Sequence, residues 1–196
     1  EQYFTRAYEF GYSFSVEETL DKWGEEEILA DIVHVIRTVR PDVVVSLPPR
    51  GKVGGQHHQA SGILTSEAFR AAADPDRFGD QIAAGLRPWQ ALKLYSRTYV
   101  GSGGPNREQL QEEDVHLLHL DTGVYDPVLG RSYYQMGLEA RSNHKCQGMP
   151  QLRALSGSRN SSWRLEDTTM AVAPEESDLF DGIDTGLDRL KAFTNE

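Results

Sequence analysis

The stretch at residues 40–69 constrains the fold of this chain more than any other part of the sequence. It opens with an apolar run at residues 42–47 that contains three consecutive valines. Since this run does not alternate with polar residues, it predicts a buried strand in a parallel sheet that is covered on both faces. Pro41 and the pair Pro48-Pro49 mark the ends of the strand, and a Pro/Gly-rich loop continues to Gly55.

Two adjacent histidines, His57 and His58, follow this loop at the start of a predicted helix that runs to about residue 73. Ligands of open α/β sheets collect at the carboxyl ends of the strands, which is where the loop and both histidines are expected. Neutral imidazole is the commonest metal ligand in proteins, so the pair is a candidate metal or anion site. Such pairs also occur as ordinary residues at helix starts, and the spacing alone leaves both interpretations open.

The whole chain, residues 1–196, is predicted to form one α/β domain. The predicted strands lie at residues 42–47, 91–100, 115–120 and 162–166, and the first three are expected to share one sheet. The predicted helices lie at residues 25–39, 58–73 and 131–147, with shorter helices ending at Trp23 and near residues 186–193. On the predicted helix at 131–147, His144 shares a face with Tyr133.

Charge and hydropathy exclude several classes of partner. The formal net charge of −10 argues against binding to nucleic acid or to an anionic membrane surface, because both are negative themselves. No apolar run approaches the roughly 18 residues needed to cross a bilayer. The single cysteine, Cys146, excludes an internal disulfide framework. The sequence therefore predicts a soluble protein, and it does not distinguish a cytoplasmic protein from an exported one.

The segment RPDVVVSLPPRGKVGGQHHQASGILTSEAFRAAADPDRF resembles the LmbE/PIG-L-like de-N-acetylases, zinc hydrolases that remove acetyl groups from N-acetylglucosamine-type sugars. In that family a strand beginning R-P-D-V-V leads into a loop ending H-P-D-H and then into an alanine-rich helix. Further similarity lies in PWQALKLY and in YDPVLGRSYYQMGLEARSNHKCQGM, so the resemblance covers roughly residues 8–150. It implies a Rossmann-like three-layer α/β sandwich with a mostly parallel sheet.

The resemblance also implies roles for individual residues. His58 matches the last histidine of H-P-D-H, which is a zinc ligand in the family. His57 stands where the family has aspartate, and Gly55 stands where it has a histidine that stabilises the transition state. His57 or His144, the latter in an element similar to the family's H-x-S-Q, is therefore a candidate for this catalytic imidazole. Arg50 is a candidate for binding a sugar hydroxyl or a phosphate, and a plain surface arginine is the alternative.

The family's opening motif, A-H-P-D-D-E, has no counterpart in these residues. That motif supplies two zinc ligands and the aspartate that acts as general base, and a catalytic zinc takes about three protein ligands. The resemblance therefore predicts that this chain is the carboxyl-terminal portion of a zinc-dependent de-N-acetylase-like domain. An upstream segment of the same protein would complete it, and an N-acetylated sugar or glycoconjugate would be its substrate. The alternative is a non-catalytic carbohydrate-binding or structural relative of the family.

Overall fold

The structure is a computed structural model that describes residues 1–49, 54–98, 116–147 and 157–190. Its α-helices are α1 (Val16–Trp23), α2 (Glu25–Val39), α3 (Gln56–Ala71), α4 (Gly79–Ala83) and α5 (Tyr133–Arg141). Its strands are β1 (Val43–Ser46), β2 (Lys93–Thr98), β3 (Leu117–Asp121), β4 (Tyr125–Asp126), β5 (Arg131–Ser132) and β6 (Asn160–Thr168). Short 3-10 helices lie at Lys145–Gln147 and Leu187–Leu190. The fold is mixed α/β, as predicted, and the small β4–β5 hairpin was not predicted.

The main sheet has four strands in the order β1-β2-β6-β3 among the described residues. The three strands predicted to share one sheet do so. Only β1 and β2 pair in parallel, whereas β6 lies antiparallel between β2 and β3. The prediction of a mostly parallel sheet is therefore wrong. The strand predicted at residues 162–166 lies within β6, but the pattern of side chains along a strand carries no information about its direction.

Among the described residues β1 is an edge strand of this sheet, and one of its faces is only partly covered, so the prediction of a strand buried on both faces is wrong. Val44 packs on Phe69 and Leu94, whereas Val45 on the opposite face is 47% exposed. Within the described ranges no strand pairs with the outer edge of β1. Three consecutive valines therefore indicated strand structure correctly, but they did not indicate how many sides of the strand are covered.

The helical layer covers one face of the sheet through α3. Phe69 of α3 contacts Ala91 and Leu94 beside and within β2, and α1 and α2 pack on α3 in turn. The larger core cluster lies between α2 and α3 and consists of Ile28, Leu29, Val33, Ile36, Leu64, Ala68, Ala71 and Ala72. The apolar periodicity of α2 predicts a stripe made of Ile28, Ile32, Val35, Ile36 and Val39. This stripe is confirmed only in part, because Leu29 and Val33 also lie in the core whereas Val39 is 48% exposed.

The opposite face of β2 is covered by the irregular segment at residues 170–186 instead of by a helix. Glu176 from this segment reaches Lys93 and Tyr95, whose side chains point to that face, and His116 beside β3. In the part of the chain that the structure describes, the second helical layer of a three-layer sandwich is not present. Mixed α/β architecture is thus observed, and the three-layer arrangement is not.

The predicted helix at residues 131–147 is shorter than expected, because α5 ends at Arg141. Ser142 Oγ and the side-chain amide of Asn143 both donate hydrogen bonds to the carbonyl oxygen of Glu139. Such side chains compete with the backbone for helical acceptors and favour a turn. His144 therefore follows the helix and does not share its face. The predicted helix near 186–193 is a 3-10 turn in its described part. No helix described in the structure combines the length and apolar character needed to cross a bilayer.

Candidate active site

A close approach between α3 and the end of β1 builds the site. A Cβ atom at Gly62 of α3 would lie 2.6 Å from the carbonyl oxygen of Pro48 and 2.8 Å from that of Leu47. Only glycine permits the helix to lie this near the backbone that leaves β1. The first turns of α3, which carry both histidines, are thereby held beside the carboxyl end of β1.

His58 lies in the first turn of α3 with an exposed side chain. Its ring packs against Gly54, where a Cβ atom would be 2.9 Å from His58 Cγ, and Gly54 has a φ of +82°. Glycine is therefore needed at this position for two reasons: it permits the positive φ of the turn, and it leaves space for the His58 ring. Together with residues 11–13, the loop and the helix start at residues 54–58 line a cleft of about 310 Å³, called here the histidine cleft. His58 is thus placed as the sequence predicted, and its role as a ligand stays a prediction.

His57 points into a cage of aromatic side chains. Its ring centroid is 4.5 Å from that of Phe10, in an edge-to-face contact, and 5.2 Å from that of Trp23. Its Nδ1 atom is 3.4 Å from a carboxylate oxygen of Glu9, whose side chain is 75% exposed. Its Nε2 atom is buried and has no hydrogen-bond partner among the described residues. An unsatisfied buried polar atom costs about 1–3 kcal/mol. Because Nε2 is enclosed, Nδ1 on the side of Glu9 is the ring nitrogen that a further group can reach.

The segment before α1 supplies Phe10 of this cage and one wall of the histidine cleft, and the last residue of α1 supplies Trp23. The indole Nε1 of Trp23 donates a hydrogen bond of 2.8 Å to the carbonyl oxygen of Tyr8, and the Tyr8 hydroxyl donates one of 3.0 Å to the carbonyl oxygen of Lys22. These bonds fasten the segment to α1. The sequence did not predict a role for Glu9, Phe10 or Trp23. The segment that carries Glu9 and Phe10 has no regular period, and its density of aromatic residues was the available signal.

The other predicted site residues are not brought to this cleft within the described structure. His144 is exposed in the turn after α5, where its Nδ1 lies 3.2 Å from the carbonyl oxygen of Arg141. It does not line the histidine cleft. Arg50 falls outside the described residues. The proposed catalytic role of His144 and the binding role of Arg50 therefore stay predictions.

The described residues do not by themselves form a metal site. No three His, Cys, Asp or Glu side chains converge in residues 1–49, 54–98, 116–147 and 157–190. His58 offers one accessible imidazole, and the partnerless nitrogen of His57 is enclosed. A catalytic zinc takes about three protein ligands and keeps one position open. The described residues therefore supply too few ligands to form a catalytic zinc site.

The structure thus combines a mixed α/β fold with a histidine cleft that follows a strand. Curated relatives of this sequence are sugar deacetylases. The 1D-myo-inositol 2-acetamido-2-deoxy-alpha-D-glucopyranoside deacetylase 2 of Frankia casuarinae is 40% identical over 77 residues, which are 39% of this chain and 23% of the relative. The 1D-myo-inositol 2-acetamido-2-deoxy-alpha-D-glucopyranoside deacetylase of Thermobifida fusca is 33% identical over 95 residues, which are 48% of this chain and 28% of the relative. Deacetylase 1 of Frankia casuarinae is 28% identical over 180 residues, 79% of this chain and 57% of its own.

These similarities confirm the resemblance to the LmbE/PIG-L-like de-N-acetylases. The chain spans between 23% and 57% of the length of these three relatives. A solved N,N'-diacetylchitobiose deacetylase from Pyrococcus horikoshii, in complex with its inhibitor MPG, aligns with a TM-score of 0.35 and 13% identity over 84% of this chain and 56% of that one. A TM-score this low does not establish a shared fold. No family model matches the sequence.

Proposed function

We propose that this chain is part of a zinc-dependent hydrolase that removes the acetyl group from an N-acetylated amino sugar of the N-acetylglucosamine type. The reaction cleaves a linear amide and releases acetate and a free amine. The observation that carries the proposal is the position of His58, which is exposed on a cleft at the carboxyl end of β1 and lies in the stretch that resembles the deacetylases. The sequence similarity to sugar deacetylases supports the same reaction.

In this proposal His58 is a zinc ligand. The remaining zinc ligands and the general base would come from outside the described residues, and an upstream segment of the same protein is the source that the sequence predicts. A zinc ion held by His58 and those further ligands would supply Lewis-acid chemistry, which would polarise the acetyl carbonyl and lower the pKa of water in the site. Gly62 and Gly54 serve this site by setting the position of α3 and of the His58 ring.

His57 is the proposed catalytic imidazole, and His144 is the second candidate. An imidazole at this cleft would stabilise the developing oxyanion or protonate the leaving amine. The Nδ1 atom of His57 faces Glu9 at 3.4 Å, and because Glu9 is largely exposed, a substrate group can displace it at little cost. The cage of Phe10 and Trp23 holds the ring in one orientation. Arg50 would bind a hydroxyl or phosphate of the substrate.

A non-catalytic carbohydrate-binding relative is the second candidate function. Gly55 replaces the histidine that the family uses to stabilise the transition state, and the described residues lack a complete set of zinc ligands. A protein of this kind would retain the cleft for the sugar but would not hydrolyse the amide.

The release of free amine from N-acetylglucosamine glycosides by the complete protein tests the proposal. We expect the wild-type protein to release amine, and His58→Ala to reduce the rate by about a hundredfold or more, because the metal would lose a ligand. His34→Ala is the matched control, since His34 is an exposed histidine of α2 outside the histidine cleft. Binding of the sugar without amine release would favour the non-catalytic function. An unchanged rate in His58→Ala would refute the assigned role.

A further inference from the structure

The hairpin of β4 and β5 exposes a cluster of large apolar side chains, and residues 124–133 are called here the apolar hairpin. Five side chains of these residues are between 44% and 91% exposed: Val124, Tyr125, Val128, Leu129 and Tyr133. Val128, in the turn, is the most exposed of them. Single exposed apolar side chains are ordinary on protein surfaces, whereas a cluster of them marks an interaction surface.

Hydrogen bonds hold the apolar hairpin in one conformation. One carboxylate oxygen of Asp126 accepts hydrogen bonds of 2.8 and 3.0 Å from the backbone N–H groups of Val128 and Leu129. The other oxygen accepts one of 3.2 Å from the hydroxyl of Tyr133. A surface that is fixed before binding loses little conformational entropy in a complex, which favours affinity.

The surface around the apolar hairpin is not acidic, although the chain as a whole is. Residues 121–147 carry three acidic and three basic side chains, and the exposed Arg159, which lies over the ring of Tyr134, adds one positive charge. This surface therefore has a formal charge of +1, whereas the whole chain has −10. Arg131 of the hairpin pairs with Glu139, and the two side chains are 46% and 66% exposed. Because such an exposed pair is weak, another carboxylate can take the place of Glu139 at little cost.

A second exposed stretch has the opposite charge and is called here the acidic segment (residues 174–188). It carries six acidic side chains and no basic one, and Glu175 and Asp178 are among its exposed carboxylates. Phe180 and Leu187, which are 46% and 82% exposed, add apolar surface to it. The acidic segment thus complements the apolar hairpin in two ways, because it offers carboxylates to arginines and apolar side chains to apolar side chains.

The two surfaces lie apart within one chain. Glu176 of the acidic segment contacts His116 beside the start of β3, whereas the apolar hairpin follows the end of β3. A strand of this length spans about 17 Å. Val128 and Leu187 are 91% and 82% exposed, so neither surface covers the other. Contact between them therefore requires a second copy of the chain, and a two-fold axis would form the contact twice.

The exposed area is sufficient for a stable dimer only if both contacts form. Large side chains have areas of roughly 150–250 Å², so the exposed fractions of the five hairpin residues amount to about 600 Å². Phe180 and Leu187 add about 250 Å² on the partner. One contact would bury about 850 Å² and two would bury about 1,700 Å², whereas specific interfaces bury roughly 1,200–2,000 Å².

We propose that the protein forms a two-fold dimer in which the apolar hairpin of each copy packs on the acidic segment of the other. The apolar side chains of the two surfaces cover each other, and the arginines beside the hairpin lie against the carboxylates. No residue that lines the histidine cleft belongs to either surface. The inference therefore goes beyond the proposed function and does not rest on it.

Sedimentation velocity of the complete protein measures the dissociation constant of the dimer. We expect the wild-type protein to be dimeric, and Val128→Asp and Leu187→Asp each to raise the dissociation constant about a hundredfold or more, because a charge would be buried in an apolar contact. Phe4→Asp is the matched control, since Phe4 is 81% exposed and lies outside both surfaces, and it should leave the dimer intact. A monomeric wild-type protein, or a Val128→Asp dimer as stable as the Phe4→Asp dimer, would overturn the proposal.

A mixture of the two variants tests which surfaces meet. The hairpin of Leu187→Asp and the acidic segment of Val128→Asp are both unchanged, so the mixed pair can form one of the two contacts, whereas each variant alone can form neither. We expect energy transfer between differently labelled copies in the mixture, at a protein concentration where each variant alone is monomeric. A mixture without energy transfer would overturn the pairing, since it means that the hairpin packs on some other surface.

Discussion

The substitution Glu176→Gln is predicted to destabilise the protein strongly, because Glu176 is a buried charge with three partners. Its side chain is 1% exposed, and that of its ion-pair partner Lys93 is 0% exposed. The Tyr95 hydroxyl donates a hydrogen bond of 2.5 Å to the carboxylate, and His116 Nε2 lies 2.8 Å from the same oxygen. This cluster fastens the segment at residues 170–186 to the face of the sheet that carries no helix.

Removing one partner of a buried ion pair typically costs about 3–5 kcal/mol, because the other charge stays buried without compensation. Glutamine keeps the size of the side chain and one acceptor oxygen, so we expect a loss near the lower end, about 3 kcal/mol in the free energy of unfolding. Glu175→Gln is the matched control, because Glu175 is the exposed neighbour and its substitution should cost less than about 0.5 kcal/mol.

Urea unfolding of the two variants and the wild-type protein, at several pH values, measures the effect. Burial acts to raise the pKa of Glu176, but the hydrogen bonds from Lys93 and Tyr95 outweigh it, and the pKa is lowered below the ordinary value of 4.5. The folded protein therefore binds fewer protons at this group than the unfolded chain does. The stabilisation is present above about pH 4.5 and is lost as the pH falls through the lowered pKa. Equal unfolding free energies for Glu176→Gln and Glu175→Gln at pH 7 would refute the reasoning.

Two further predictions concern the helical layer. Arg37→Ala should lower the free energy of unfolding by about 3 kcal/mol or more, since the buried guanidinium donates to the carbonyl oxygens of Ala72, Asp74 and Arg77. Arg70→Ala is the control for this substitution. It breaks an exposed ion pair with Asp167 and should cost about 1 kcal/mol or less. Gly62→Ala should destabilise by about 1–3 kcal/mol, because the new methyl group would overlap the carbonyl oxygens after β1. Gly137→Ala in α5 should instead stabilise by about 0.5–1 kcal/mol, since a Cβ there meets no atom. Thermal denaturation compares each pair, and equal melting temperatures within a pair would contradict the prediction.

The sequence was sufficient to predict those elements whose structure is determined by local periodicity. α2 occupies the predicted residues, because its apolar stripe, its acidic first turn and the proline that follows agree with one another. The position of His58 at a helix start after a strand was also predictable, since the prolines and glycines of that stretch mark the loop. Each of these features depends on residues that are close in sequence.

The features that were missed depend on residues far apart in sequence. Arg37 has the position of a basic residue in the last turn of a helix, where it complements the helix dipole, and nothing local predicts its burial. It is 1% exposed and donates hydrogen bonds to carbonyl oxygens of the chain that follows α3. The edge position of β1 is decided by which strands pair, and a run of valines does not encode that. The cage around His57 forms because residues before α1 return to α3, and no local pattern predicts such a contact.

The zinc content of the complete protein, measured by elemental mass spectrometry, is the decisive test of His58 as a metal ligand. We expect about one zinc per chain in the wild-type protein and in the control His34→Ala. We expect loss of this zinc in His58→Ala, and in His57→Ala a lowered rate of amine release with most of the zinc retained. A His58→Ala protein that keeps its full zinc content would contradict the assignment of the histidine cleft as the metal site.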